Sequence, residues 1–317
     1  MSSIEKAIER LAKSKAKQSK PDSVADGSTK AAHQDQAEET AKSVSVSAKP
    51  AADNKDFPAG GGEGGSTVAT VADSAKRPAK KIQLDYESLS KVGYIVPEAG
   101  NKQLAEEYRI IKRPIIMNAL GKGAAPIEHG NLVSISSSLP AEGKTFTALN
   151  LALSMATELD STVLLIDGDV LKSSMSKLLG IEQERGLIDL LEDKRCSVND
   201  VILHTQIPRL KVISSGNRSE KSTELLASKE MERLLNELAD RYRDRIIIFD
   251  SPPILATSEA EVLNLHMGQI LLVVEAGQTP VDAIKDALSR LDGEKAIGLV
   301  LNKSREGTTK NYYGTYY

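Results

Sequence analysis

The chain is short of the residues from which secreted, metal-built or membrane-spanning proteins are made. One cysteine, Cys196, in 317 residues excludes a disulfide framework. Four scattered histidines, His33, His129, His204 and His266, give no metal-ligand spacing. There is no tryptophan and there are only three phenylalanines. No apolar run reaches the length of a membrane span, and the N-terminus lacks the hydrophobic region of a signal peptide. These absences fit a reducing cytoplasm. A net charge of −3 and a pI of about 5.9 leave no basic excess for a nucleic-acid surface.

What is present is divided unevenly along the chain. Residues 1–18 open with Met1-Ser-Ser-Ile-Glu-Lys-Ala-Ile-Glu-Arg-Leu-Ala-Lys, in which Ile4, Ala7, Ile8, Leu11 and Ala12 recur at helical spacing behind a candidate cap, Ser3. A short amphipathic helix is expected there, with docking on a membrane-protein partner and packing in cis both open to it. Residues 19–84 are mostly Ala, Ser, Lys, Asp, Glu and Gly, with Gly60 to Gly65 as a glycine-rich stretch. That composition is too poor in apolar surface to offset the entropy of ordering and reads as a disordered linker. The remaining part, residues 85–309, is long enough for one good-sized domain, followed by a tail over 310–317.

From Asn131 onward apolar runs alternate with helical patterns. The runs cover residues 132–136, 162–166, 210–213, 245–249, 269–274 and 297–301, and helices are expected over 145–159, 187–191, 228–242 and 281–291. Continuous hydrophobicity, in place of strict alternation, suits parallel strands covered on both faces. The expected fold is a doubly wound, mostly parallel α/β sheet whose ligand site lies at the carboxyl ends of the strands.

The chemistry is written at those ends. Behind the first run stands Ser138-Leu-Pro-Ala-Glu-Gly143-Lys144-Thr145, the spacing of a phosphate-binding loop with Ser138 where the first glycine is usual. Backbone amides at a helix start cradle phosphates, Lys144 neutralises the β and γ groups, and the Thr145 hydroxyl can ligate magnesium. The second run ends in Leu-Leu-Ile-Asp167-Gly-Asp169. The fourth ends in Ile-Phe-Asp250-Ser-Pro-Pro, with Asp250 placed like the residue that holds magnesium through water. Singly, such features are common, since strand-terminal aspartates are often turn formers or helix caps. Together and in this order they imply nucleoside triphosphate binding. The tail Asn-Tyr312-Tyr313-Gly-Thr-Tyr316-Tyr317 then holds four of the eight tyrosines of the chain.

The loop Ser-Ser-Leu-Pro-Ala-Glu-Gly-Lys-Thr, the run Leu-Leu-Ile-Asp-Gly-Asp, the run Ile-Phe-Asp-Ser-Pro-Pro and the tyrosine tail together resemble the bacterial tyrosine autokinases of polysaccharide export, over roughly residues 85–317. The stretch Glu-Glu-Tyr-Arg-Ile-Ile-Lys-Arg-Pro and the opening helix resemble the exosortase-associated members in particular. The resemblance implies a P-loop fold of the partition-ATPase-like class, with ATP and Mg2+ as cofactors and Tyr312, Tyr313, Tyr316 and Tyr317 as sites phosphorylated between neighbours in a ring. It implies catalytic roles for Lys144, Asp167 and Asp169, and magnesium held by Thr145, Asp167 and Asp250. The nucleotide would be bound by Ser138, Ala141, Glu142, Gly143, Lys144, Thr145, Phe146 and Asn302, the last where related ATPases contact adenine. Its implied partners are a membrane chain-length regulator, or co-polymerase, as activator and a tyrosine phosphatase, with the chain recruited to the inner face of the cell membrane.

Glu106, Arg109 and Lys112 share neighbouring parts of one helical face. By spacing alone they read as a solvated face. They match the Glu-x-x-Arg-x-x-Arg subunit-contact motif of the family, with Lys in the last place. Three departures stand out: Ala141 replaces a glycine of the loop, Val170-Leu171-Lys172 replaces an arginine after Asp169, and the stretch from Ser215 lacks the usual prolines. Two other readings of the same fold remain: a partition or cell-division ATPase, disfavoured by Leu139 where those proteins carry a second lysine, and a nucleotide-regulated docking module without catalysis.

Overall fold

A computed structural model describes residues 80–97, 101–157 and 162–304. The N-terminal helix, nearly all of the linker and the tyrosine tail expected above lie outside the described residues. In chain order the elements are β1 Lys80–Lys81, α1 Tyr86–Lys91, α2 Lys102–Ala119, β2 Leu132–Ser137, α3 Lys144–Ala156, β3 Thr162–Asp167, α4 Ser174–Leu178, α5 Leu187–Glu192, α6 Val198–Val201, β4 Leu203–His204, β5 Leu210–Ile213, α7 Ser222–Leu226, α8 Lys229–Arg241, β6 Arg245–Asp250, α9 Ser258–Leu265, β7 Gln269–Glu275, α10 Val281–Ser289 and β8 Ala296–Asn302.

The strands form one sheet in the order β1-β4-β5-β3-β6-β2-β7-β8, with every neighbouring pair parallel except β4 and β5. Continuous apolar runs are needed because both faces are covered. Along β6, Ile246 and Ile248 enter one core with Val133, Ile135 and Leu165, beneath Leu149, Leu153 and Tyr108. Ile247 and Phe249 enter the other with Leu164 and Ile166, against Leu235, Leu238 and Leu263. Helix α3 is buried along nearly its whole length because α2 packs over it. Helix α8 starts at Ser228, whose hydroxyl accepts from the Met231 amide and satisfies a donor at the helix start.

The linker boundary differs from the compositional reading. Lys80 and Lys81 pair with Leu203 and His204, inside the stretch 19–84 read as linker. Leu84 is buried, and its amide and carbonyl bond the Gln206 side chain at 2.9 and 2.8 Å. The segment is held through its main chain, so a polar composition did not betray it. The loop from Ser215 manages without prolines because Asp189 pins it. That carboxylate accepts from the amides of Gly186 and Asn217 and from Asn217 Nδ2 at 2.8 to 3.1 Å.

Candidate functional site

The order β3-β6-β2-β7 brings three strand ends together. The phosphate-type loop leaves β2 and enters α3; β3 ends in Asp167 and β6 in Asp250, directly opposite one another in register. Lys144, Asp167, Asp169 and Asp250 are all buried. Lys144 Nζ donates to Asp169 Oδ2 at 2.7 Å and lies 3.9 Å from Asp250 Oδ1. Burial alone would lower the proton affinity of the lysine, but Asp250 and then Asp169 raise it above the ordinary value, so Lys144 is a held cation.

The carboxylates differ in how they are satisfied. Asp167 Oδ2 accepts from the Ser176 amide at 2.8 Å and the Ser176 hydroxyl at 2.6 Å, and Oδ1 accepts from the Asp169 amide at 3.2 Å. Neither oxygen of Asp250 meets a donor in hydrogen-bonding geometry among the described residues. Burial pushes the proton affinity of both aspartates up; Ser176 works against this at Asp167, and Lys144 does so at Asp250. A fully buried, unbonded carboxylate beside Thr145 fits a magnesium ion and its water shell. No group of three or more His, Cys, Asp or Glu side chains among the described residues is arranged to hold a metal alone.

The loop itself is strained and braced. Ala141 has φ 69°, in the left-handed region where a Cβ is disfavoured, so the alanine that replaces glycine is held there against its own preference. Gly143 has φ 96°, a conformation in which a side chain is strained, and a Cβ on it would also have to displace Asn302 Nδ2, 1.9 Å away. Ser138 is absent from the left-handed residues, which explains why serine serves where glycine is usual; its hydroxyl is buried and unbonded. Glu142 is an internal strut: its carboxylate accepts from the Leu139 amide at 2.7 Å and from the Thr279 hydroxyl. Phe146, next in α3, packs its ring 5.0 Å from that of Tyr94.

Other expected residues sit differently from their spacing. Asn302 Nδ2 donates to the Glu142 carbonyl at 2.8 Å, so in this structure the amide expected near adenine is committed to the loop. Glu106 and Arg109 form an exposed ion pair on α2. Lys112 does not join them on the surface; it is buried, with Nζ donating to the Ser154 carbonyl at 2.6 Å, because α2 turns that edge onto α3. Lys172 is exposed, while Arg218 donates to the Leu171 carbonyl at 2.7 Å, bringing an arginine to this segment from another loop. Ser176, Thr279, Tyr94 and Lys303 went unread in the sequence. Their sequence separation from the motifs they support left no local signal, although a serine nine positions after Asp167 at the start of a helix was a findable partner.

An AAA domain family model matches residues 131–292. The chain is similar to tyrosine-protein kinase YwqD of Bacillus subtilis, 32% identical over 216 residues that cover 67% of this chain and 86% of that protein. It is also similar to tyrosine-protein kinase ptk of Acinetobacter johnsonii, 33% identical over 174 residues, 54% of this chain but only 23% of the relative. This chain therefore spans about a quarter of the length of the Acinetobacter protein. Among solved structures it resembles the VpsO kinase domain with a TM-score of 0.56 and 27% identity, covering 69% of this chain and 98% of that one.

Proposed function

Because the chain belongs to the bacterial tyrosine-protein kinase family, we propose that it transfers the γ-phosphoryl group of ATP to tyrosine, its acceptors being Tyr312, Tyr313, Tyr316 and Tyr317 of a neighbouring copy. The observation that carries the reading is the convergence of Lys144 with Asp167, Asp169 and an unbonded Asp250 at three strand ends.

Phosphoryl transfer demands positioning and charge neutralisation more than covalent chemistry. The loop amides from Ala141 to Phe146 receive the phosphates, and Lys144 exchanges its contact with Asp169 for the β and γ oxygens. Thr145, Asp167 and Asp250 hold magnesium directly or through water, and the ion supplies charge neutralisation for the transferred group. A tyrosine phenol, with a reference pKa of about 10, is protonated at neutral pH. Asp167 and Asp169 are the two candidates to orient it and take its proton. The phenolic oxygen bonds to the γ-phosphorus, the bond to the ADP oxygen breaks, and the proton remains on the carboxylate.

The remaining organisation belongs to the same proposal. Residues 85–309 act as the kinase domain, 310–317 as its substrate, and 1–18 as the docking element at the end of a tether. The exposed Glu106 and Arg109, with Ile110 and Met117 also exposed on α2, support this helix as the contact between copies in a ring. A membrane chain-length regulator is the proposed activator, recruiting the chain to the membrane face, and a tyrosine phosphatase resets the tail; the exosortase-linked setting is part of this reading. No helix among the described residues is long and apolar enough to cross a membrane.

Incubation of the purified chain with γ-labelled ATP and magnesium tests the function. Label on tail tyrosines is expected. Hydrolysis without protein label would favour the ATPase switch, and nucleotide binding with neither would favour the docking module.

A further inference from the structure

We infer that the end of β8 is part of the phosphate site: Asn302 and Lys303 are positioning residues that aim the loop amides at the nucleotide. The inference deepens the nucleotide-binding reading above and rests on it.

Two successive loop carbonyls are held from the same side. Lys303 Nζ donates to the Ala141 carbonyl at 2.7 Å, and Asn302 Nδ2 donates to the Glu142 carbonyl at 2.8 Å. A trans peptide is planar, so its C=O and the following N–H point in opposite directions. Fixing the Ala141 carbonyl towards β8 turns the Glu142 amide the other way, and fixing the Glu142 carbonyl does the same for the Gly143 amide. Successive amides so aligned form an anion-binding nest. Lys303 is itself held by Glu275 at 3.0 Å, and the Ala276 amide donates to the Asn302 carbonyl at 2.9 Å, so the brace is anchored to the end of β7.

The brace stands where the loop most needs one. Ala141 occupies the left-handed region at φ 69°, and Lys303 does so at φ 56°. A free loop carrying alanine would leave that conformation, whereas glycine would visit it readily. Lys303 therefore holds a shape that the side chain at position 141 opposes. It also stands nine residues before Tyr312 in the sequence.

The test is equilibrium binding of a fluorescent ATP analogue with magnesium to the full chain. Lys303→Met should weaken binding about fivefold, the scale of one partly exposed charge-assisted hydrogen bond, and Lys303→Arg should recover part of it. Thermal unfolding of the nucleotide-free chain should hardly change, because Lys303 is exposed. In an Ala141→Gly background the Lys303→Met penalty should shrink, since glycine needs no restraint. A chain ending after Ser304 should bind as the full chain does. Unchanged affinity in Lys303→Met overturns the inference, as does an equal penalty in both backgrounds. An unsubstituted chain that binds no nucleotide sinks the phosphate-loop reading itself, while binding without tyrosine labelling sinks the kinase reading and leaves the brace standing.

Discussion

Asp167 and Asp250 face each other across β3 and β6 in direct register, yet one carboxylate accepts three hydrogen bonds and the other accepts none in hydrogen-bonding geometry among the described residues. Asp167 is fixed by the first turn of α4, while Asp250 has Lys144 Nζ at 3.9 Å as its nearest charged neighbour of opposite sign among the described residues. Between them Lys144 is the only side-chain cation that a described ion pair brings to either Asp169 or Asp250.

The first prediction follows from Asp250. Its folded proton affinity is raised, so the unfolded chain releases this proton first, and rising pH disfavours the fold from the ordinary carboxylate range up to the raised folded value. Below that window the group has no effect. Asp250→Asn removes the ionisation, so the nucleotide-free variant should match the parent at acid pH and become more stable than it as pH rises. Transfer to tyrosine should fall with the lost magnesium contact. Thermal melts from pH 4 to 8 check the sign; a variant less stable than the parent at the alkaline end would contradict it.

Lys144→Met should abolish ATP hydrolysis and self-labelling, because the charge at the developing phosphate oxygens is gone. It should also destabilise the nucleotide-free fold at neutral pH by about 3 kcal/mol, the scale of leaving a buried partner charge uncompensated. Acidification protonates the aspartates and should narrow that gap. Chemical denaturation at two pH values measures it, and a pH-independent loss would point to packing instead of charge.

Much of this architecture was legible because the sheet is buried on both faces. The apolar runs ending at Asp167 and Asp250 could be read as strands, and the residues after them could only fall at carboxyl ends. What spacing cannot give is the neighbour. Glu106, Arg109 and Lys112 follow one another at equal intervals, but a helix packed on a second helix buries one edge, and α3 took Lys112. The strand at Lys80 escaped because main-chain pairing leaves no side-chain signature. Lys303, and the bond that ties Asn302 to the loop, escaped because their partners lie some 160 residues away.

The face of α2 yields two separable outcomes. Glu106→Ala with Arg109→Ala removes an exposed pair, worth about 0–1 kcal/mol to the monomer, and should shift an ATP-bound assembly towards monomer with reduced self-labelling. Lys112→Met should instead lower monomer stability by about 2 kcal/mol through the lost buried hydrogen bond. Light scattering and thermal melts on both variants separate them. An unchanged assembly in the double variant would return Glu106 and Arg109 to a solvated surface.

The tail can be tested as substrate apart from the machinery. Changing Tyr312, Tyr313, Tyr316 and Tyr317 to Phe removes the acceptor oxygens and keeps the aromatic bulk, while Lys144 and the three aspartates are untouched. That protein should still bind nucleotide, and it should phosphorylate the tail of a Lys144→Met chain that cannot itself use ATP. Phosphate on the Lys144→Met partner is the expected result; its absence from the mixed sample would rule out transfer between copies. Each phosphotyrosine adds about −1.5 to −2 charges at neutral pH. A tail so modified is repelled by its own neighbours and by the mouth that holds Asp167 and Asp169, so it should leave the site of the next copy. The phosphorylated chain should therefore have a lower mass in solution than the dephosphorylated one, and equal masses would remove the release step even with the transfer intact.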